Sequence, residues 1–339
     1  MGIPRLFRRY NLSLDRKILV SISLIVALVL GMLLSLCRGS VSLSLAEVWQ
    51  ALYHQGSAQH QIIIWELRLP RILAAALVGS ALGMSGGLLQ GMLRNSLADP
   101  FILGISAGAG LVAIGCITLA VLPLYLPLGA WVGAMLTAAL VYLLGYRSGT
   151  ITVERLILAG IAVSSLFGSM QTMLLLWSDE NRLQSALNWL IGSLNGRGWP
   201  VVQVAAPYIL VGLLAGCALA RPLNLLGLGD QLATSLGLSL LRTRLLIGLV
   251  ASLLAGSAVS IAGLIGFIGL VVPHGVRMLI GNDYCWLLPL SAVGGALVLT
   301  VADLLGRWGA IELPVGAVTA LFGSPIFIWL LYKGQSLQN

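Results

Sequence analysis

The sequence predicts an all-α polytopic membrane protein of about ten transmembrane helices, and three observations carry that prediction. Of 339 residues, 58% are hydrophobic and 9% are charged, and the mean hydropathy is +0.99. An ordinary soluble domain is about one-quarter charged, so this chain cannot cover its surface with charge. The apolar residues fall in blocks of about twenty, the length of helix that crosses a bilayer. These blocks are continuous rather than alternating, which excludes a β-barrel, the other structure that satisfies its backbone in lipid.

Taken in order, the predicted spans are 18–37, 70–92, 99–116, 126–146, 153–177, 202–220, 243–262, 264–280, 286–306 and 313–332, within one membrane domain covering 1–339. The first follows a basic stretch with Arg5, Arg8, Arg9, Arg16 and Lys17. No A-x-A site follows it, and Leu before Cys37 is too bulky for a lipoprotein site, so it reads as an uncleaved helix. Pro70 suits the first turn of the second span. Along that span Gly79, Gly83, Gly87 and Gly91 recur every four residues. Such a stripe lets helices approach closely and gain van der Waals contact, and it carries no information about substrate. The third and eighth spans are short and glycine-rich. The eighth, with Gly266, Gly269 and Pro273, reads as broken or half-crossing, which needs protein or a watery cavity around it. Spans two to five and seven to ten each open with a long helix followed by a short one, the pattern of an inverted repeat.

Orientation follows from basic residues in short loops. With both termini cytoplasmic, thirteen of the 19 lysines and arginines lie inside, and Arg38, Arg68, Arg71, Arg182, Arg197 and Arg307 lie outside. The net charge of +8 is scattered over loop ends without interleaved aromatics, which argues against nucleic-acid binding. Cys37, Cys116, Cys217 and Cys285 are far apart and read as packing residues rather than metal ligands.

Covalent chemistry has no foothold. There is no G-x-x-x-x-G-K-[ST], and the only lysines are Lys17 and Lys333. There is no G-x-S-x-G, no H-E-x-x-H and no carboxylate pair deep in a span. An ion-coupled carrier keeps ionisable groups near the midplane. The nearest here is Asp303, four residues from Arg307 and readable as its ion-pair partner at a helix end. The driving energy is therefore expected from outside the bilayer.

Two polar segments remain. In the connection 221–244, Gly229 and Asp230 can start a short helix with Asp230 as its N-cap, and Gly237 can end it. Leu232 and Leu236 then share a face that either docks on a soluble partner or lies on the membrane. At the mouth of the second span, Arg68 and Arg71 are three apart on one helical face, a geometry suited to carboxylates or to lipid headgroups.

These residues together resemble the iron-siderophore and cobalamin permease family of ABC importers, the FecCD-like type II fold. The resemblance rests on Leu67-Arg68-Leu69-Pro70-Arg71, on Gly83, Gly86, Gln90 and the run Arg94 to Pro100, and on Leu158-Ala159-Gly160. It continues through Leu228-Gly229-Asp230, Ala233, Leu236-Gly237, the run Phe267 to His274, Asp303, Arg307, and Glu312 to Leu331. Ser96 stands where the family has proline and is expected to loosen that turn while the fold survives. The resemblance implies a transport subunit without enzyme activity that moves a ferric siderophore or related iron chelate across the bacterial inner membrane by alternating access. Haem and cobalamin are the alternative cargoes. It implies two cytoplasmic ATPase subunits that hold ATP and Mg, a second permease subunit, and a periplasmic or lipid-anchored binding protein. This chain binds no cofactor or metal in that scheme. Arg68, Arg71 and Arg307 would take glutamates of the binding protein. Gly229, Asp230, Ala233, Leu236 and Gly237 would form the coupling helix on the ATPase, and the stretch from Arg147 to Glu154 would lie near the inner gate.

Overall fold

The computed structural model describes residues 14–39, 41–120, 125–147, 149–309 and 312–335. The predicted inner-side residues Arg5, Arg8 and Arg9, and the side chain of Lys333, lie outside what it describes. The chain is helical almost throughout. Helices long and apolar enough to cross a membrane are α1 (Leu14–Cys37), the continuous helix Ala58–Leu93 that ends in α4 (Leu69–Leu93), and α6 (Leu126–Gly145). The others are α7 (Val153–Leu176), α9 (Trp199–Ala218), α12 (Leu240–Ala262) and α14 (Tyr284–Gly306). Shorter apolar helices are α5 (Ile105–Thr118), α13 (Ile268–Ile280) and the stretch Val315–Trp329 of α15 (Val315–Gln335). The polar segments add α2 (Leu45–Leu52), α3 (Ala58–Ile62), α8 (Glu180–Ile191), α10 (Ala220–Leu226) and α11 (Asp230–Ser235).

Helix boundaries depart from the sequence expectation at proline and glycine. Pro70 does not open a helix: the helix enters from Ala58 through a π turn at Ile63–Arg68. Proline lacks an N–H and its ring crowds the carbonyl four residues back, here that of Glu66. A wider turn immediately before it relieves both problems, and Leu69 N–H bonds to Ile64 O instead. The third span starts at Ile105 rather than residue 99, because Asp99 caps a short 3-10 turn, Pro100–Leu103, by accepting from Phe101 N–H at 2.9 Å. The eighth starts at Ile268, after Phe267 in a left-handed conformation (φ 69°). The Asn95–Ala98 turn is held by the Asn95 side chain, which accepts Leu97 N–H at 2.9 Å. Ser96 lies within that turn, and the fold is formed with it in place.

The two halves share an order of elements. α4 and α12 are each followed by an irregular segment, a positive-φ residue (Gly104, Phe267) and a short helix. α4 packs on α13 and α14 of the other half, and α12 packs on α5 and α6. These long helices form the centre, buried on nearly every side, while α1 and α7 lie at the periphery. Helices apolar all round belong in such a core.

The glycine stripe lies against α14. A Cβ at Gly79 would collide with the carbonyl of Gly295, and one at Gly83 with that of Ser291. Lower down, a Cβ at Gly87 would stand 3.1 Å from the Leu288 side chain, and one at Gly91 2.8 Å from Tyr284. Gly86 faces α13, and its missing side chain admits the carbonyl of Gly269. That contact matters for Pro273, which leaves Gly269 O without its usual helical donor. Gln90 reaches across from α4, with Nε2 3.4 Å from Gly269 O and 3.1 Å from Leu270 O, and its Oε1 accepts from Arg277 at 3.0 Å. A buried amide thus replaces the bond that proline removes.

Candidate functional site

Charged residues gather at both ends of the bundle. At the start of α4, Arg71 donates from Nε to Asp303 Oδ1 at 3.0 Å and from Nη1 to Glu312 Oε2 at 3.1 Å. Arg307 places its Nε 3.0 Å from Asp303 Oδ2 and donates from Nη2 to the Ser35 hydroxyl of α1. The predicted Asp303–Arg307 pair is present, with Arg71 as a third member. Asp303 is only 2% exposed. A carboxylate that deep is tolerable because two guanidiniums share it.

Arg68 departs from the expectation that it and Arg71 offer paired forks to carboxylates. It is buried, and its two Nη atoms donate to the carbonyls of Leu36 and Val41 at the turn after α1. Only Arg71 meets carboxylates.

A cleft of about 280 Å³ opens above these groups, with Arg68, Arg71, Arg307 and Glu312 among its walls. A second, of about 430 Å³, adjoins it and shares Arg71, Asn195, Arg197 and Glu312. Sequence reasoning placed Arg197 on this side without a role. Burial pushes its guanidinium pKa down, and no carboxylate offsets that. Its loop is pinned by Ser193 N–H to Ala262 O (2.8 Å), while Trp199 at the start of α9 donates to Trp65 O (2.7 Å).

At the opposite end, α11 begins one residue earlier than a cap at Asp230 requires. Gly229, at φ 105°, is the N-cap, and Asp230 is the first helical residue. Its carboxylate is drawn away from the helix end by two arginines. Arg244 Nη2 donates to it at 2.9 and 3.0 Å, and Arg94 pairs with it from the C-terminus of α4. Arg244 Nη1 donates to Ile151 O at 2.7 Å. Ile151 closes a small hairpin in which Tyr146–Arg147 pairs with Thr150–Ile151. One buried guanidinium therefore joins α11, α12 and the connection between α6 and α7.

Ala233 is the inward face of α11 and is fully buried, whereas Leu228, Leu232 and Leu236 are exposed. Gly237, at φ 87°, ends the helix turn. The same end holds the start of α1, where Lys17 approaches Asp283 at 3.5 Å and Asp283 accepts from Asn224 at 2.9 Å. Nothing in the sequence pointed to Arg94 and Arg244 as partners of Asp230, which pairs with residues 136 and 14 positions away.

Comparison with known proteins gives a consistent result. A model of the FecCD transport family matches residues 27–333. The haemin transport system permease of Yersinia pestis is 41% identical over 93% of this chain and 96% of its own length. The Fe(3+) dicitrate transport system permease of Escherichia coli is 42% identical over 94% of this chain and 99% of its own. An inward-facing structure assigned to a metal-chelate type ABC transporter superposes with a TM-score of 0.84 at 33% identity, covering 92% of this chain and 98% of that one.

Proposed function

Since the chain belongs to the FecCD transport family, whose model matches nearly its whole length, we propose that it is the membrane permease subunit of an ATP-driven importer for an iron chelate. Its partners in this reading are two ATPase subunits that bind ATP and Mg, a second permease subunit and a substrate-binding protein. The Asp230 end faces the cytoplasm with both termini, and the Arg71 end faces outward from the bacterial inner membrane. Haemin and cobalamin remain the alternative cargoes, since permeases named for each are about equally similar to this chain.

The observation that carries the reading is α11. It buries Ala233, is anchored by Asp230 to Arg94 and Arg244, and leaves Leu232 and Leu236 exposed. An apolar face on a helix held so firmly suits insertion into a groove of a soluble partner. ATP-driven closure of that partner then displaces α11, and Arg244 passes the displacement to the hairpin at Ile151 near the gate. Only a partner with different contacts in two states can shift such an equilibrium. Arg244→Ala is expected to reduce uptake at least roughly tenfold, since it removes a charge-assisted fork. The assembled complex should keep hydrolysing ATP, now without the stimulation that the loaded binding protein normally gives. Uptake and stimulated ATPase at wild-type levels would remove this role.

At the outer end, Arg71 is positioned to exchange Glu312, which is 43% exposed at its side chain, for a carboxylate of the binding protein. Arg68 holds the α1–α2 turn beside it, and Arg307 holds Asp303. Arg71→Glu is expected to weaken docking of the binding protein at least roughly tenfold through like-charge repulsion, with assembly on the ATPase intact. Undiminished docking in a pull-down or surface-binding measurement would refute it. The reading as a whole is tested by reconstituting the permease with its ATPase and binding protein and measuring uptake of labelled ferric chelates. Uptake driven by an ion gradient without ATPase would sink it.

A further inference from the structure

We propose that the second of these outer clefts, between α8 and residues 312–314, is a subsite for a carboxylate of the cargo, with Arg197 as its cation. The inference rests on the importer reading and narrows its substrate class to carboxylate-bearing chelates, as against cobalamin or an uncharged ferric hydroxamate.

Charge accounting singles out Arg197. Around the two clefts, Arg71 is neutralised by Asp303 and Glu312, and Arg307 by Asp303, while Glu66, which lines the smaller cleft with Arg197, forms no ion pair with it. Arg68 is spent on backbone carbonyls. Among the described residues, the Arg197 side chain has no hydrogen-bond or ion-pair partner, and its Nε is out of reach of solvent. A guanidinium cannot shed its proton to escape this situation. With Nε desolvated and the terminal nitrogens still reachable from the cleft, this guanidinium is placed to receive an anion that the chain does not supply.

The walls say what kind of anion. The cleft holds about 430 Å³, within the roughly 300–1,000 Å³ of small-molecule sites. Ser185, Asn188, Ser193 and Asn195 line it with hydroxyls and amides. Trp189, also on its wall, adds an aromatic ring, its indole N–H being turned inward and buried. A planar fork and a ring of neutral hydrogen-bonding groups suit a compact anion rich in oxygen. A concave cleft of this size favours a small multidentate ligand over the single side-chain tip of a docking protein. Arg197 is also held in place: its own N–H bonds to Leu194 O at 3.3 Å, and Gly316 N–H bonds to Gly192 O at 3.1 Å across the same loop.

The test uses the complete importer in vesicles with its binding protein and ATP. Four probes are compared: ferric citrate, haem, an uncharged ferric tris-hydroxamate and cyanocobalamin. The expected result is ATP-dependent uptake confined to the carboxylate-bearing probes. Arg197→Gln should raise the KM for them roughly tenfold, the loss of one charge-assisted contact. Arg197→Lys should restore part of it, and docking of the cargo-free binding protein should stay unchanged. Uptake of the hydroxamate or cyanocobalamin instead, or uptake indifferent to Arg197→Gln, overturns this inference alone. So does an equal loss of cargo-free docking, because the carboxylate would then belong to the binding protein. Absence of ATP-dependent uptake for all four probes would overturn the importer reading, and this inference with it.

Discussion

Gly83→Val is expected to prevent α4 and α14 from packing and to leave little folded subunit in the membrane. A side chain there would enter the carbonyl of Ser291 and crowd the Cα of Gly295. Backbone cannot rotate away as a flexible side chain can, so the helices must separate. Overpacking of a tight core typically costs about 1–3 kcal/mol, and a clash with backbone lies at or beyond the upper end. The contact also matters more in lipid, where helix association depends on close packing rather than on expulsion of water. Gly115→Ala in α5 is the control. Nothing lies within 4 Å of its added Cβ, and alanine is favoured over glycine in a helix by up to about 1 kcal/mol. Thermal unfolding in detergent should show a large fall or no transition for Gly83→Val, and an unchanged or raised midpoint for Gly115→Ala.

Asp303→Ala is the second large effect. It removes the anion shared by Arg71 and Arg307, whose side chains are only 12% and 5% exposed. Breaking a buried pair by deleting one partner typically costs about 3–5 kcal/mol, because a desolvated charge is left behind. Here Arg71 keeps Glu312, whereas Arg307 keeps only neutral acceptors. Most of the loss should therefore be traceable to Arg307. The double variant Asp303→Ala, Arg307→Leu is expected to recover much of the stability, since replacing a whole buried pair by apolar groups is often neutral. A double-mutant cycle on thermal unfolding checks this. Additive losses in the double variant would show that the pair is not coupled.

The placement of the apolar helices was largely legible because the signal is local: block length, proline and glycine are read directly along the chain. Its errors were local as well. A helix-opening role for Pro70 follows from the usual position of proline, yet a π turn allowed the helix to run through it. α8 escaped notice because its polar, amphipathic sequence carries no transmembrane signal. The sites were legible as residues but not as contacts. Asp230 has the chemistry of an N-cap, and nothing in its neighbours foretells that Arg94 and Arg244 would claim its carboxylate.

By itself, then, the sequence determined the solvent of this protein, the number and order of its apolar helices and the family whose motifs it bears. Those properties follow from composition and from spacing along one helix. Only the tertiary structure decided which charges remain available. Arg68, Arg71, Arg197 and Arg307 are alike in type, but packing spends the first on carbonyls, the second and fourth on Asp303, and leaves the third facing a cleft. The physical reason is that a buried charge must find a partner, and that partner comes from whichever segment the fold brings within about 3 Å.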